Sequence, residues 1–290
     1  MNLHEIEVSG DVQDLIERAL KEDIGEADVT SEAIVGEHDR ARAYLLSRGP
    51  YVLSGLTIAE RVFHTVDPSL AVKLLREDTK PVSNGDCVMT IEGKARSILA
   101  AERTALNFLQ RMTGVASLTR QLVEKAAKYG VKILDTRKTT PTLRILEKYA
   151  VYCGGGENHR MGLFDRVLIK DNHITFWRDN NEGTAADAVR AAREKFPHLQ
   201  IEIEVESIED LKEALKASPD WVLLDNMQPT LLRQCVELCK GKCRTEASGN
   251  IRLDTVEIVA QTGVDAISVG FLTHSAPAAD LSLEFIRNGE

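Results

Sequence analysis

The sequence predicts an α+β domain followed by an α/β barrel, and three observations point there. Up to about residue 100, a few helical stretches are scattered among short β-like runs, without strict alternation. After Gly130, short Val/Ile/Leu-rich segments alternate with helical ones, as in right-handed βαβ units on a parallel sheet. Each of those apolar segments runs into charged or small polar residues, the pattern of strands that open onto one shared mouth.

Taken in order, residues 11–24 carry Val12, Leu15, Ile16 and Leu20 at helical spacing, which predicts the first helix. ARAYLLSRG, LAVKLLRED and DCVMTIEGKA read as strands divided by turn signals such as Ser83-Asn84-Gly85. A helix from about Ser54 to Thr65 lies between the first two. From Ala101 to Tyr129 two helices are expected, ERTALNFLQRMTG and SLTRQLVEKAAKYG, the second with Ser117 as N-cap and Gly130 as terminator. Six strands follow: VKILDTRK, RVLIKDN, IEIEVES, WVLLDN, CRTEASG and AISVG. The helices between them include TAADAVRAAREKF, SIEDLKEALKAS, PTLLRQCVELCK and DTVEIVAQTG. An open doubly wound sheet gathers its ligand at one switch point and needs polar ends on only some strands. Here all six have them, which favours the barrel. The expected domains are 1–112 and 113–274, with a tail, 275–290, packed on the first.

Composition narrows the function classes. With 43% hydrophobic and 28% charged residues in 290, disorder and disulfide mini-scaffolds are excluded. The net charge of −9 argues against non-specific nucleic-acid binding, which needs a basic field, but leaves room for a local cationic pocket. The first twenty residues lack the basic and apolar regions of a signal peptide, and no stretch reaches the roughly 20 apolar residues of a membrane span. Five sparse cysteines suggest free thiols and a cytoplasmic protein. Cys235 and Cys239 fall one helical turn apart on a core-facing stripe, with Cys243 beyond the Gly241 terminator. Packing is the better reading, because structural zinc needs four ligands.

Chemistry concentrates between Arg137 and His173, which together hold seven Lys or Arg and two His. Arg137 and Lys138 follow one strand and Lys170 another, while His159 and Arg160 follow Gly154-Gly155-Gly156, read as a flexible connection. Arg144, Lys148 and Arg166 look helical or flanking. Arg forks match carboxylate or phosphate, and Lys adds point charge, so a mouth holding Arg137, Lys138, Arg160 and Lys170 should bind a polyanion. Glu204 and Asp225 bring the opposite sign. They fit Mg²⁺ shared with substrate phosphates, stabilisation of positive charge developing on a sugar carbon, or a structural network with Lys138 and Lys170; all three remain open. Ser248-Gly249-Asn250 and Ser268-Val269-Gly270-Phe271 end the last two strands, where small residues let backbone N–H groups approach a phosphate.

The runs ERTALNFLQRMTGVAS, ILDTRKTTP, KYAVYCGGGENHRMGLFDRVLIKDNHI, IEIEVES, LLDN, EASGNI and GVDAISVGFLTHSAPAADLSLEF resemble the quinolinate phosphoribosyltransferase family over nearly the whole chain. The resemblance implies an N-terminal α/β sandwich domain, a C-terminal incomplete α/β barrel and a head-to-tail homodimer, with higher assembly left open. The implied reaction joins quinolinate to phosphoribosyl pyrophosphate with Mg²⁺, giving nicotinate mononucleotide, pyrophosphate and CO₂ for NAD synthesis. It places Arg137, His159, Arg160 and Lys170 on quinolinate, with Thr136 beside them, and has Arg103 donated by the neighbouring subunit. Lys138, Glu204 and Asp225 match the phosphoribosyl pyrophosphate and metal region, and with Lys170 form the implied catalytic set. Ser248, Gly249 and Asn250 match one 5′-phosphate loop and Val269, Gly270 and Phe271 the other. One departure is Thr142, where the family often has Gly.

Three rivals are a related transferase acting on another acid, a non-catalytic anion-sensing barrel, and an aldolase with a Schiff base on Lys170. The full set of Arg103, Arg137, His159, Arg160 and Lys170 favours a dicarboxylate over the first. Glu204 and Asp225 opposite the cations count against the second, and borohydride trapping would reveal the third.

Overall fold

The computed structural model describes residues 10–181 and 183–286. Residues 1–9, on which part of the leader reading rests, and 287–290 of the tail lie outside the described residues. The chain begins with helices α1 (Gly10–Ile24) and α2 (Val29–Ile34), strands β1 (Arg40–Ser47) and β2 (Tyr51–Val52), and α3 (Leu56–Val66). β3 (Ala71–Leu74), β4 (Pro81–Val82), β5 (Cys87–Lys94) and the long α4 (Ala95–Ala127) follow. Then come β6 (Lys132–Leu134), α5 (Arg144–Cys153), β7 (Val167–Ile169), α6 (Asp171–Asn181), α7 (Ala185–Lys195), β8 (Ile201–Val205) and α8 (Ile208–Ala214). The last elements are β9 (Trp221–Asp225), α9 (Pro229–Cys239), β10 (Arg244–Ser248), α10 (Val256–Ala260), β11 (Ala266–Ser268), α11 (Phe271–His274) and β12 (Leu281–Phe285).

These elements fall into two compact units whose chain segments interleave. One holds 10–120, 140–155 and 275–286 of the described residues, the other 121–139 and 156–274.

The first unit is built on an antiparallel sheet in the order β12-β1-β5-β3, with Ala43 of β1 level with Phe285 on one side and Ile91 on the other. Period-two alternation buries Ala43, Leu45 and Ser47 of β1. α1 buries Val12, Ile16 and Leu20, one face at four-residue spacing, and α3 buries Ile58, Ala59, Val62 and Phe63. Asp78 caps the start of α3, accepting from the backbone of Gly55 (2.8 Å) and Leu56 (3.1 Å), and takes a third bond from the Tyr149 hydroxyl at 2.9 Å. Glu147 of α5 is 1% exposed. It accepts from Arg111 Nη2 at 2.7 Å and Nε at 3.1 Å, and from the backbone and hydroxyl of Thr140 at 3.0 and 2.8 Å.

Three expectations change here. α4 is one helix of 33 residues, not two, and Ser117 sits inside it rather than capping it. The Ser117 hydroxyl donates to the Thr113 carbonyl at 2.7 Å and accepts from the Val52 backbone at 2.9 Å, a mid-helix use of serine. Gly114, which looks like a break, is helical because a Cβ there would run into the Pro277 carbonyl. Gly154 is likewise a packing glycine rather than a flexible link: it is buried, and a Cβ would strike the Ala116 carbonyl and Thr119.

Thr142 has φ 69°, a left-handed conformation that crowds a β-branched side chain. Thr142→Gly is therefore expected to stabilise the protein by about 1 kcal/mol, relief of strain exceeding the extra chain entropy of glycine. A urea midpoint unchanged or lowered would count against this strain.

The second unit carries a six-stranded parallel sheet in the order β6-β11-β10-β9-β8-β7. Leu134 of β6, Ala266 of β11 and Trp221 of β9 form one buried apolar cluster. β6 and β9 are three strands apart, roughly 14 Å in a flat sheet, so the sheet must curl for these side chains to meet. The order leaves β6 and β7 as the two edges, which makes the barrel incomplete. Thr184 and Asp187 form a reciprocal capping box at α7, Ser207 caps α8, and Pro229 opens α9. Cys235 and Cys239 are buried on α9 and Cys243 follows the turn at Gly241, whose φ is 73°. Among the described residues no helix is long and apolar enough to cross a membrane.

Candidate active site

Because the six strands run parallel, their C-terminal ends share one edge of the sheet. Thr136, Arg137 and Lys138 follow β6 and Lys170 follows β7. Glu204 lies near the end of β8, Asp225 and Ser248 end β9 and β10, and Ser268 ends β11. The structure therefore gathers at one edge the polar groups singled out from the strand ends.

Lys170 is exposed, and its ammonium donates to Glu204 Oε2 at 3.0 Å, so this part of the expected lysine–carboxylate network exists. Glu204 lies opposite Leu223, two residues before Asp225, so by strand alternation Glu204 and Asp225 share a face. Asp225 is half-buried, level with Ser248, and accepts no hydrogen bond from any described residue. Lys138 is exposed; its backbone N–H donates to Thr136 Oγ1 at 3.0 Å and its carbonyl accepts from Thr273 Oγ1 at 2.7 Å. Its side chain passes over Gly270, where a Cβ would come within 2.9 Å of Lys138 Cδ.

Arg160 is 9% exposed, and Nη1 donates to the Arg166 carbonyl at 3.3 Å. Burial, then the charge of Arg137, holds the Arg160 pKa below its usual range. Two guanidinium groups that disfavour each other's charge make a place where an anion is welcome. Gly249 has φ 105°, and a Cβ there would lie 2.8 Å from the Asn226 nitrogen, whose N–H donates to the Ser248 carbonyl at 2.8 Å. Asn250 and Asn226 are themselves left-handed, with φ of 50° and 55°. Val269 is buried and donates its N–H to the Leu134 carbonyl at 2.9 Å, and Phe271 lies under the Arg252 guanidinium at 5.7 Å. Arg103 is exposed on α4 in the first unit.

Beneath this edge lies a buried layer around His159, of which sequence reading missed Glu202. Asp135 is fully buried, accepting from the His159 backbone at 2.9 Å and from Asn158 Nδ2 at 2.5 Å. The His159 ring is 7% exposed. Nε2 is 3.0 Å from Glu202 Oε2 and 3.4 Å from Glu246 Oε2, both carboxylates being fully buried. Nδ1 accepts the Arg160 backbone N–H at 2.7 Å. Arg166, read as flanking, instead reaches Glu202 Oε2 with Nη1 at 3.3 Å and lies 5.5 Å from the Trp221 ring. The available signal was parity: in Ile-Glu-Ile-Glu-Val, Glu202 and Glu204 are two apart and must share a face.

His159 faces opposing demands. Burial disfavours a charged ring, while hydrogen bonds to Glu202 and Glu246 favour it strongly enough to raise its pKa to about 9. The Arg160 N–H lies against Nδ1 on the other side of the ring, so both nitrogens are engaged inside the protein.

The family profile of the quinolinate phosphoribosyl transferase C-terminal domain matches residues 115–284, and that of the N-terminal domain residues 28–113. The chain belongs to the quinolinate phosphoribosyl transferase family. It is 38% identical over 277 residues to a probable nicotinate-nucleotide pyrophosphorylase [carboxylating] of Bacillus subtilis, covering 95% of this chain and 94% of the relative. It is 40% identical over 281 residues to the corresponding protein of Methanothermobacter thermautotrophicus, covering 94% and 98%. The solved nicotinate-nucleotide pyrophosphorylase of Francisella tularensis superposes with a TM-score of 0.93 at 37% identity, covering 99% of each chain.

In this family member, Glu246 is buried against the Glu202 charge, and both raise its pKa. A carboxyl whose folded pKa exceeds its unfolded value favours folding below the unfolded pKa and loses that advantage as pH rises. Glu246→Gln is neutral at every pH and has nearly the same shape. Its melting temperature should therefore gain on the parent from pH 5 to pH 8, and a gap independent of pH would refute a protonated Glu246.

Proposed function

We propose that the chain joins quinolinate to phosphoribosyl pyrophosphate and removes one carboxyl group as CO₂, yielding nicotinate mononucleotide and pyrophosphate for NAD biosynthesis. Family membership supports the reaction. The observation that carries it to this site is that Arg137, Lys138 and Lys170 all follow C-terminal ends of the parallel strands, with the buried Arg160 close enough to Arg137 for its pKa to be lowered by that charge. An adjacent dicarboxylate on an aromatic ring is the ligand such a density of cations suits. Lys138 and the turns at Ser248-Gly249-Asn250 and Val269-Gly270-Phe271 suit the phosphates.

Departure of pyrophosphate leaves positive charge on the ribose C1, which the quinolinate ring nitrogen attacks. Glu204 and Asp225, which share one face of the sheet, would favour that charge electrostatically. The cationic ring nitrogen then stabilises the carbanion left at the adjacent carbon as CO₂ departs, and a proton from solvent takes the carboxyl group's place, so the protein needs no covalent nucleophile. Two half-buried carboxylates on one face, Asp225 with no donor among the described residues, fit a hard divalent ion. Glu204 and Asp225 would hold Mg²⁺, which supplies neutralisation of the pyrophosphate charge when bound.

Our reading includes a cytoplasmic homodimer, open to further assembly, in which Arg103 completes the neighbouring subunit's quinolinate pocket. Incubation with quinolinate, phosphoribosyl pyrophosphate and Mg²⁺ should release CO₂ and mononucleotide in equal amounts, and failure to form both would overturn the proposal. Mixing inactive Arg103→Ala and Lys138→Ala chains should restore part of the activity; a confirmed heterodimer without rescue would remove Arg103 from the partner's site.

A further inference from the structure

We propose that Cys243 and Cys239 form a peroxide-reactive dithiol at the N-terminal end of the parallel sheet, Cys243 taking the first oxidation and Cys239 resolving it as a reversible disulfide. The pair is separate from the transferase site. Cys243 immediately precedes β10, which starts at Arg244 level with Trp221, whereas Ser248 and Asp225 end those two strands at the opposite edge.

The turn between α9 and β10 sets the geometry. Cys239 is the last residue of α9, and its carbonyl accepts the backbone N–H groups of Lys242 at 2.8 Å and Cys243 at 3.2 Å. Gly241, with φ 73°, lets the chain leave the helix and close this way. A bond from residue i+4 back to residue i holds the two Cα atoms roughly 6 Å apart, within the span a disulfide bridges. The side chains follow, for the two thiols lie within hydrogen-bonding reach of each other. Cys235, one turn back on α9, is engaged elsewhere, its Sγ 3.8 Å from Met227 Sδ.

Access and charge divide the roles. Cys239 is buried, while Cys243 is partly exposed and lines an open depression of about 500 Å³ with Ser218, Lys242 and Arg244. Of the five cysteines, Cys243 alone has its pKa held below the usual thiol value, chiefly by its contact with Cys239 and further by Lys242, against burial and the charge of Asp265. The same contact and burial push Cys239 up, and burial raises Cys87, Cys153 and Cys235. The thiolate is the nucleophile, so the reachable Cys243 reacts first. Its sulfur attacks one oxygen of a hydroperoxide: an S–O bond forms, the O–O bond breaks, and hydroxide leaves and takes up a proton. The sulfur is thereby oxidised by two electrons to a sulfenic acid. The Cys239 sulfur then attacks that sulfur as its own proton passes to the departing oxygen, so that an S–S bond replaces S–O and water leaves. The product clips the end of α9 to the chain entering β10 and stops oxidation at a stage that a thiol reductant reverses.

The test is mass spectrometry of the folded, unmodified protein treated with a small excess of hydrogen peroxide. The intact chain should lose about 2 Da, the mass of two hydrogens, and regain it with dithiothreitol. After free thiols are alkylated, trypsin should release residues 234–240 joined to 243–244, with Cys235 alkylated and the bridge running from Cys239 to Cys243. Cys239→Ala removes the resolving thiol, and Cys243 should then gain about 32 Da as a sulfinic acid that dithiothreitol does not reverse. Cys243→Ser should show no reversible loss, and Cys235→Ala should behave as the parent. No mass loss, a bridge through Cys87, Cys153 or Cys235, or a loss that persists in Cys243→Ser would overturn the proposal. The bridge is mapped without any substitution, so the result stands even where a variant fails to fold.

Discussion

Arg137→Ala should raise the quinolinate KM by on the order of a hundredfold, about 3 kcal/mol. In the free protein the charge of Arg137 lowers the pKa of the buried Arg160, which places the two cations close together. In the complex, removing Arg137 leaves a desolvated substrate carboxylate short of a partner, and unpaired buried charge is where interface truncations cost most. A purely structural arginine would show the opposite pattern, lost stability with substrate affinity preserved. Denaturant midpoints and quinolinate KM measured on one preparation separate the cases. An unchanged KM would remove Arg137 from the pocket.

Glu147→Ala should cost about 3 kcal/mol or more of stability. Glu147 is 1% exposed and serves four hydrogen bonds, two from Arg111 and two from Thr140. Truncation would strand a partly buried guanidinium and two further donors where water reaches poorly, each with its own desolvation cost. Glu147→Gln keeps one oxygen acceptor and should recover part of the loss. A urea midpoint near that of the parent for Glu147→Ala would show that Arg111, which also donates to the Ala276 carbonyl at 2.9 Å, is held adequately without it.

The parallel sheet was legible because its strands are short Val/Ile/Leu runs separated by capped amphipathic helices, so periodicity and punctuation agreed. α4 was misread where they disagreed. Gly114 and Ser117 look like a stop and a start, yet one is small to let Pro277 approach and the other bonds to Val52. Both reasons lie in segments far along the chain and leave no local trace. The cations at the strand ends were legible because charge after an apolar run is conspicuous. Glu202 was not, because Glu within an alternating strand reads as solvent-facing, and only the curl of the sheet turns that face inward. Thr142 is the intermediate case: the missing glycine flagged a turn, and the left-handed φ confirms the conformation that glycine would have served.

The edge strand β12 has a consequence for how the protein is made. Residues 281–285 lie beside 43–47 in the first sheet, so that sheet lacks this strand until those residues have left the ribosome. Until then β1 exposes an unpaired edge, the kind of surface that invites strand exchange between nascent chains. The second unit draws on 121–139 and 156–274, all emerged before β12, and can acquire its fold ahead of the unit to which β1 and β12 belong. Order of translation and order of completion are thus reversed.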